Sequence, residues 1–251
     1  MDLERITSRK NEKIQQLRRL TSSGEYRRER GLYLCDGMKT LREALRFGAR
    51  VELVLWREKA QEPEELRCRE QYLAPAELFD YASPMVSSPG PLFAVAIPPQ
   101  PAPAALKNAL VLENVQDPGN VGTVIRSANA LGIEAVILCG DCADLYHPKT
   151  VRATMGAIFR QRVLSLELSA LRPFLREQGL PLYGAALSEK ACELRRLSLK
   201  NSAVAVGSEG RGLSAELLAA CEGEVIIPMN PDSESLNAAV AAGILMWEMV
   251  R

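Results

Sequence analysis

Three stretches of this chain put glycines, amides and single charged side chains at the ends of apolar runs, where loops on a rigid scaffold carry function. The first is Glu113-Asn-Val-Gln-Asp-Pro-Gly-Asn-Val-Gly-Thr-Val-Ile-Arg126. Asp117-Pro-Gly-Asn120 reads as a turn that also starts a helix, with Asn120 as the expected cap. Open amides at such a helix start attract anions, and Arg126 further along can grip a phosphate with two prongs. The bland alternative is a capped helix with a surface arginine. The second stretch is Val204-Ala-Val-Gly-Ser-Glu-Gly-Arg-Gly-Leu-Ser214, whose glycines at 207, 210 and 212 let a ligand approach the backbone. Glu209 sits in the middle of that loop, where a carboxylate meets whatever binds. The third runs from Ile226 to Ile244, where Ser235 and Asn237 open a helix faced with Ala238, Ala239, Ala241, Ala242 and Gly243. Neither the dinucleotide fingerprint nor the P-loop pattern is present, so nucleotide binding by those routes is unsupported.

The elements that must carry these stretches alternate. Strand-like runs fall at 109–112, 135–138, 182–186, 203–206 and 225–227, with helical runs at 121–131, 149–159, 170–178, 215–221 and 236–250. That order predicts a mostly parallel sheet covered on both faces, with ligands beyond the carboxyl ends of its strands. Upstream lies a smaller α/β segment, with Ile14, Leu17 and Leu20 at helical spacing, strands at 32–34, 51–56 and 92–97, and a helix at 38–47. Four prolines within residues 97–103 separate the two, as a stiff linker. The expected organisation is a first domain at 1–97, a linker at 98–106 and a second domain at 107–251.

The 251 residues carry 31 basic and 31 acidic side chains and are 47% hydrophobic, a globular balance that excludes a disordered charged tail as the main character. No apolar run reaches the ~18 residues of a membrane span, and the first residues lack the apolar core of a signal peptide, so a cytoplasmic protein is expected. Residues 1–30 nevertheless hold nine basic against five acidic side chains. A locally positive segment on a neutral body suits a polyanion such as RNA, and on composition alone the bland alternative is a solvated basic helix face. Arg9, Lys10, Lys13, Arg18 and Arg19 are the expected contacts, and Arg27 and Arg28 are expected to add to them. Six scattered cysteines suggest reduced thiols, and the Cys139-Gly-Asp-Cys142 spacing, with His147 the sole histidine, reads as structural and not as a metal site.

In order and spacing the three stretches resemble the three motifs of the SpoU/TrmH family of SPOUT-class RNA ribose methyltransferases, across the whole second domain. Residues 6–14, Ile-Thr-Ser-Arg-Lys-Asn-Glu-Lys-Ile, resemble the start of that family's substrate-binding domain. One departure is Pro231, where many members carry glycine. The resemblance implies a C-terminal SPOUT-like parallel sheet with a trefoil knot, preceded by a small α/β RNA-binding domain. It implies transfer of a methyl group from S-adenosylmethionine to a ribose 2′-hydroxyl, without a metal, in a homodimer with its sites at the interface. By position, Leu187, Gly207, Ile227 and Leu236 would hold the cofactor. Asn120, Arg126, Glu209, Ser235 and Asn237 would form the catalytic and substrate-positioning group. Ribosomal RNA is favoured over transfer RNA by the first domain. A binding protein that has lost turnover is disfavoured, because all five of those residues are in place. An oxidoreductase fails for want of a glycine fingerprint with its acid ~20 residues on.

Overall fold

The computed structural model describes residues 3–59, 66, 68–85, 88–100, 105–230, 232 and 235–251. Pro231 and residues 101–104 of the expected linker lie outside the described residues. Contacts divide the chain into two units, Met1–Pro99 with Asp144–Phe159, and Gln100–Ala143 with Arg160–Arg251. This corrects the expectation that 107–251 forms one body. Tyr146, Val151, Ile158 and Phe159 pack into an apolar cluster with Tyr33, Trp56 and Phe93, so that segment belongs to the first unit's core.

In the first unit the elements are β1 (Glu4–Arg5), α1 (Glu12–Ser22), α2 (Gly24–Arg30), β2 (Leu32–Asp36), α3 (Met38–Arg46), β3 (Val51–Arg57), β4 (Glu70–Ala74), α4 (Ala76–Ala82) and β5 (Leu92–Ala96), joined by α6 (Pro148–Ala153) from further along the chain. The five strands form a mixed sheet in the order β1-β4-β3-β5-β2. Ile14, Leu17 and Leu20 are fully buried, as their spacing predicts, and cover one face with Leu55, Phe79 and Leu92. Ser23 ends α1 and starts α2: its N–H bonds the Arg19 carbonyl, and its hydroxyl accepts from the Tyr26 N–H at 3.1 Å. The helix expected over 149–159 stops at Ala153, because Met155 and Gly156 turn left-handed at φ 49° and 87°. His147 caps α6, its Nδ1 accepting from the Lys149 N–H at 3.2 Å. The sole histidine is thus a structural cap, and burial with the nearby Arg27 charge pushes its imidazole below the usual histidine range.

Elements of the second unit are β6 (Ala109–Glu113), α5 (Pro118–Leu131), β7 (Ala135–Cys139), β8 (Val163–Leu166), α7 (Leu168–Glu177), β9 (Leu182–Ala185), β10 (Cys192–Glu193), β11 (Ala203–Val206), α8 (Ala215–Ala220), β12 (Gly223–Ile226) and α9 (Ala238–Val250). The sheet runs β10-β12-β9-β11-β6-β7-β8, and every neighbouring pair is parallel. β6, β7 and β11 are buried along their whole length, which is why they read as unbroken apolar runs. Strand order reverses between β6 and β11, and their carboxyl ends deliver Glu113 and the 207–213 loop to one rim. The Cys139-Cys142 pair forms the turn after β7, with Gly140 at φ 67° and the Cys142 thiol donating to the Leu112 carbonyl at 3.3 Å. Burial pushes Cys139 up to about 11, so its thiol stays protonated at neutral pH. No helix among the described residues is long and apolar enough to cross a membrane.

Candidate active site

Asp117, rather than Asn120, caps α5: its carboxylate accepts from the Asn120 N–H at 2.9 Å. Pro118 follows at the first helical position, where its missing N–H is not needed. This correction matters for chemistry, because it frees the Asn120 side chain. Its Nδ2 donates to Glu209 Oε1, and its Oδ1 accepts from Asn237 Nδ2 at 3.1 Å. Asn237 Nδ2 also lies 3.3 Å from the same Glu209 oxygen, while its Oδ1 caps α9 by accepting from the Ala239 and Val240 N–H groups. One side chain from each of the three stretches therefore meets in a single amide–carboxylate network. With Oε1 held by two amides, Glu209 keeps Oε2 as a further acceptor.

The loop that carries Glu209 closes on itself. Gly212 donates its N–H to the Ser208 carbonyl at 2.9 Å, and a Cβ at Gly207 would stand 2.1 Å from the Gly212 carbonyl carbon and oxygen. Glycine at 207 is thus required by the loop's own crossing, whereas the expectation was an approach by a ligand. Gly207→Ala is expected to open this crossing and weaken S-adenosylmethionine binding at least tenfold, about 1.4 kcal/mol, in calorimetric titration. An unchanged isotherm would place the pocket elsewhere.

Glu113, the last residue of β6, fixes the far end of the loop. It is 2% exposed, and its two oxygens accept from the Ser214 N–H at 2.7 Å and the Ser214 hydroxyl at 2.6 Å. Ser214 also caps α8, accepting from the Leu217 N–H at 3.1 Å. Sequence reading assigned Glu113 no role; the available signal was a carboxylate ending an otherwise apolar strand.

Beyond the carboxyl ends of β9, β11 and β12 lies a cavity of about 950 Å³. Leu187, Gly207, Ile227 and Leu236, the four expected cofactor residues, all line it, together with Glu209 and Ser235. Met229, Ser188 and Glu224 line it too and were not anticipated; the Ser188 hydroxyl donates to the Glu224 carboxylate. The volume and the mixture of apolar wall, backbone and few polar groups suit a nucleoside-sized ligand.

Arg126 is not brought into this network. It is exposed, makes no hydrogen bond or ion pair among the described residues, and does not line the cavity. Six residues along a helix rotate the side chain by roughly 240°, so Arg126 and Asn120 leave α5 on different faces. The expected convergence of Arg126 with Glu209 and Ser235 within one chain is therefore corrected.

In the first unit, Arg9, Lys10, Arg18 and Arg19, four of the expected RNA contacts, are exposed. Lys13 is tied to Glu70 at 2.5 Å. Arg27, also expected to meet RNA, is buried: its guanidinium lies 2.6 Å from Asp144 and donates to the Leu20 carbonyl at 2.7 Å.

Residues 107–247 match the SpoU rRNA Methylase family, and residues 11–83 match the MRM3-like substrate binding domain. Over 98% of its length the chain is 32% identical to the 23S rRNA (guanosine(2553)-2′-O)-methyltransferase RlmP of Bacillus subtilis, covering 99% of that protein. The chain belongs to the SpoU rRNA methylase family. The crystal structure of an RNA 2′-O ribose methyltransferase is 30% identical and superposes with a TM-score of 0.82 over 97% of each chain. The SpoU methyltransferase AviRb from Streptomyces viridochromogenes, in complex with the cofactor AdoMet, is 25% identical with a TM-score of 0.85 over 96% of this chain and 98% of that one. This SpoU chain is an RNA ribose 2′-O-methyltransferase that uses S-adenosylmethionine.

Proposed function

We propose that this enzyme methylates ribosomal RNA at a site built from the 950 Å³ cavity and the Asn120–Glu209–Asn237 network beside it. The observation that carries the reading is the meeting of three separate stretches at one rim, next to a cavity lined by all four expected cofactor residues. Leu187, Gly207, Ile227 and Leu236 hold the cofactor through backbone groups and apolar contact. Bound there, S-adenosylmethionine supplies a methyl group that is already electrophilic, so the chain's task is to align the ribose oxygen and to accommodate its charge as the 2′-hydroxyl proton passes to solvent. Asn120 and Asn237 fix Glu209, and Glu209 with Ser235 positions the ribose. Arg126 offers a planar guanidinium with five donors and no acceptor. It acts as the electrostatic group at the developing alkoxide, not as the base.

The working form in this proposal is a homodimer. Val240, Ile244, Trp247 and Val250 are 36–56% exposed and recur along one side of α9, an apolar stripe that a second copy would cover. α9 packs on α5, the helix that carries Arg126, so a second copy docked on α9 can receive Arg126 at its own cavity. Residues 1–97 present the RNA through Arg9, Lys10, Arg18 and Arg19, 98–106 link, and residues 107–143 with 160–251 carry the transfer. The C-terminal trefoil knot and a cytoplasmic location belong to the same reading. The knot is supported by the out-of-order placement of β11 between β9 and β6, and of β12 between β10 and β9.

Incubated with methyl-labelled cofactor and RNA from a strain lacking the gene, the enzyme is expected to label ribosomal and not transfer RNA. Trp247→Glu should convert the dimer to monomers in light scattering and stop transfer. Labelling of transfer RNA alone, or a fully active monomer, would refute the corresponding half of the proposal.

A further inference from the structure

Basic side chains near the N-terminus meet three tyrosine rings, and only one of these contacts is open. Tyr26 is 7% exposed beneath the Arg19 guanidinium, 3.9 Å from its ring centre, which makes that contact a lid over core. Lys13 stands 6.0 Å from Tyr72 but is neutralised by Glu70, which also accepts from the Tyr72 hydroxyl at 3.1 Å. Tyr81, on α4, is partly buried, packs against the core of the unit and carries two guanidiniums, Arg18 at 3.9 Å and Arg9 at 4.6 Å from its ring centre. Among the described residues neither arginine has a carboxylate partner, although two like charges on one ring repel each other. The geometry is fixed from both sides: Arg18 projects from α1, and Gln15 Nε2 donates to the Arg9 carbonyl at 2.6 Å. A hydrogen bond from Gln15, then Arg18 and the Arg9 charge, hold the Tyr81 hydroxyl below the usual phenol range, as expected in a positive field without acids.

We propose that Tyr81, Arg9 and Arg18 form a stacking platform for an unpaired RNA nucleotide, with a base face on the ring and guanidinium planes and its phosphate between the two charges. This rests on the reading that the first unit binds RNA, and adds which RNA it takes. A duplex keeps its base faces stacked inside, whereas unpaired nucleotides offer them to aromatic and guanidinium planes. A phosphate would also relieve the Arg9–Arg18 repulsion, which a neutral partner would not.

The test uses the full-length enzyme and a fluorescent, unstructured RNA oligonucleotide, alone or annealed to its complement, in anisotropy titrations across a salt series. The single strand is expected to bind more tightly. Tyr81→Ala should weaken it by roughly 5- to 150-fold, the worth of one base stack, with little effect on the duplex and none on the salt slope. Tyr81→Phe should keep the platform. Arg18→Ala should lower the log–log salt slope by about 0.7, one single-strand phosphate contact. The proposal is overturned if Tyr81→Ala melts like wild type yet binds both forms unchanged, or loses both equally, while methyl transfer to ribosomal RNA persists. Equally tight, Tyr81-dependent binding of a polyglutamate peptide would assign the patch to an acidic protein and overturn it too. A wild-type enzyme that binds neither RNA form and transfers no methyl group would overturn the RNA reading beneath it.

Discussion

Replacing Arg126 with alanine is expected to slow single-turnover methyl transfer by about 10²–10³-fold, the usual effect of deleting one preorganised charge or donor at a reacting oxygen. The affinity for S-adenosylmethionine should stay within about twofold, because Arg126 is not in the cavity wall. Arg126→Lys should recover little: an ammonium is a point charge and cannot reproduce a planar two-pronged contact. Mixing Arg126→Ala with Glu209→Gln chains would restore part of the rate if each site takes its arginine from a second copy. Normal transfer by the alanine variant would remove Arg126 from the reaction. Lost folding or lost cofactor binding would make it a structural residue of α5.

The largest stability effect is expected at Arg27. Its side chain is buried against Asp144, at 2.6 Å and 3.1 Å from one carboxylate oxygen, and it satisfies the Leu20 carbonyl that ends α1. Asp144 Oδ1 in turn accepts from the Tyr146 N–H, while its backbone carbonyl accepts from the Thr150 hydroxyl, so this residue ties α1 and α2 to the segment that carries α6. Asp144→Ala leaves the guanidinium buried without its counter-charge, and breaking a buried pair from one side typically costs about 3–5 kcal/mol. Asp144 is partly solvated, at 32% side-chain exposure, which puts the expected loss near the lower end of that range, measured by urea unfolding. Arg27→Met should be milder, because the charge left behind is the Asp144 carboxylate, which is partly solvated. A loss below ~1 kcal/mol in both variants would mean that the contact is an ordinary surface ion pair. The same burial removes Arg27 from the RNA surface, so reversing its charge would test folding and not binding.

How much could be read beforehand depended on whether a residue's environment is written locally. β6, β7 and β11 are central in a parallel sheet, buried on both faces, and therefore legible as apolar runs. β4 and α4 come from a stretch of mixed polarity without a clear period, and α2 offers only Tyr26 and Arg27 to the interior, so none of the three had a signal. Asn120, Glu209 and Asn237 are separated by 89 and 28 residues, and their meeting was legible only through the motif resemblance. Glu113 and Arg27 were misjudged for one shared reason. Charged side chains are ordinarily solvated, and only the fold reveals a buried partner such as Ser214 or Asp144. The position of Arg126 was misjudged because it follows Asn120 by six places within α5, which turns it to a different face of the helix.

The chemical identity of the product tests the central claim most directly. Alkali cleaves RNA through attack by the ribose 2′-hydroxyl on the adjacent phosphate, and a 2′-O-methyl group blocks that attack. Ribosomal RNA labelled by this enzyme from methyl-labelled S-adenosylmethionine, then digested to completion in alkali, should carry its label in an uncleaved dinucleotide. Label released in mononucleotides would mean methylation of a base, and would contradict the ribose assignment.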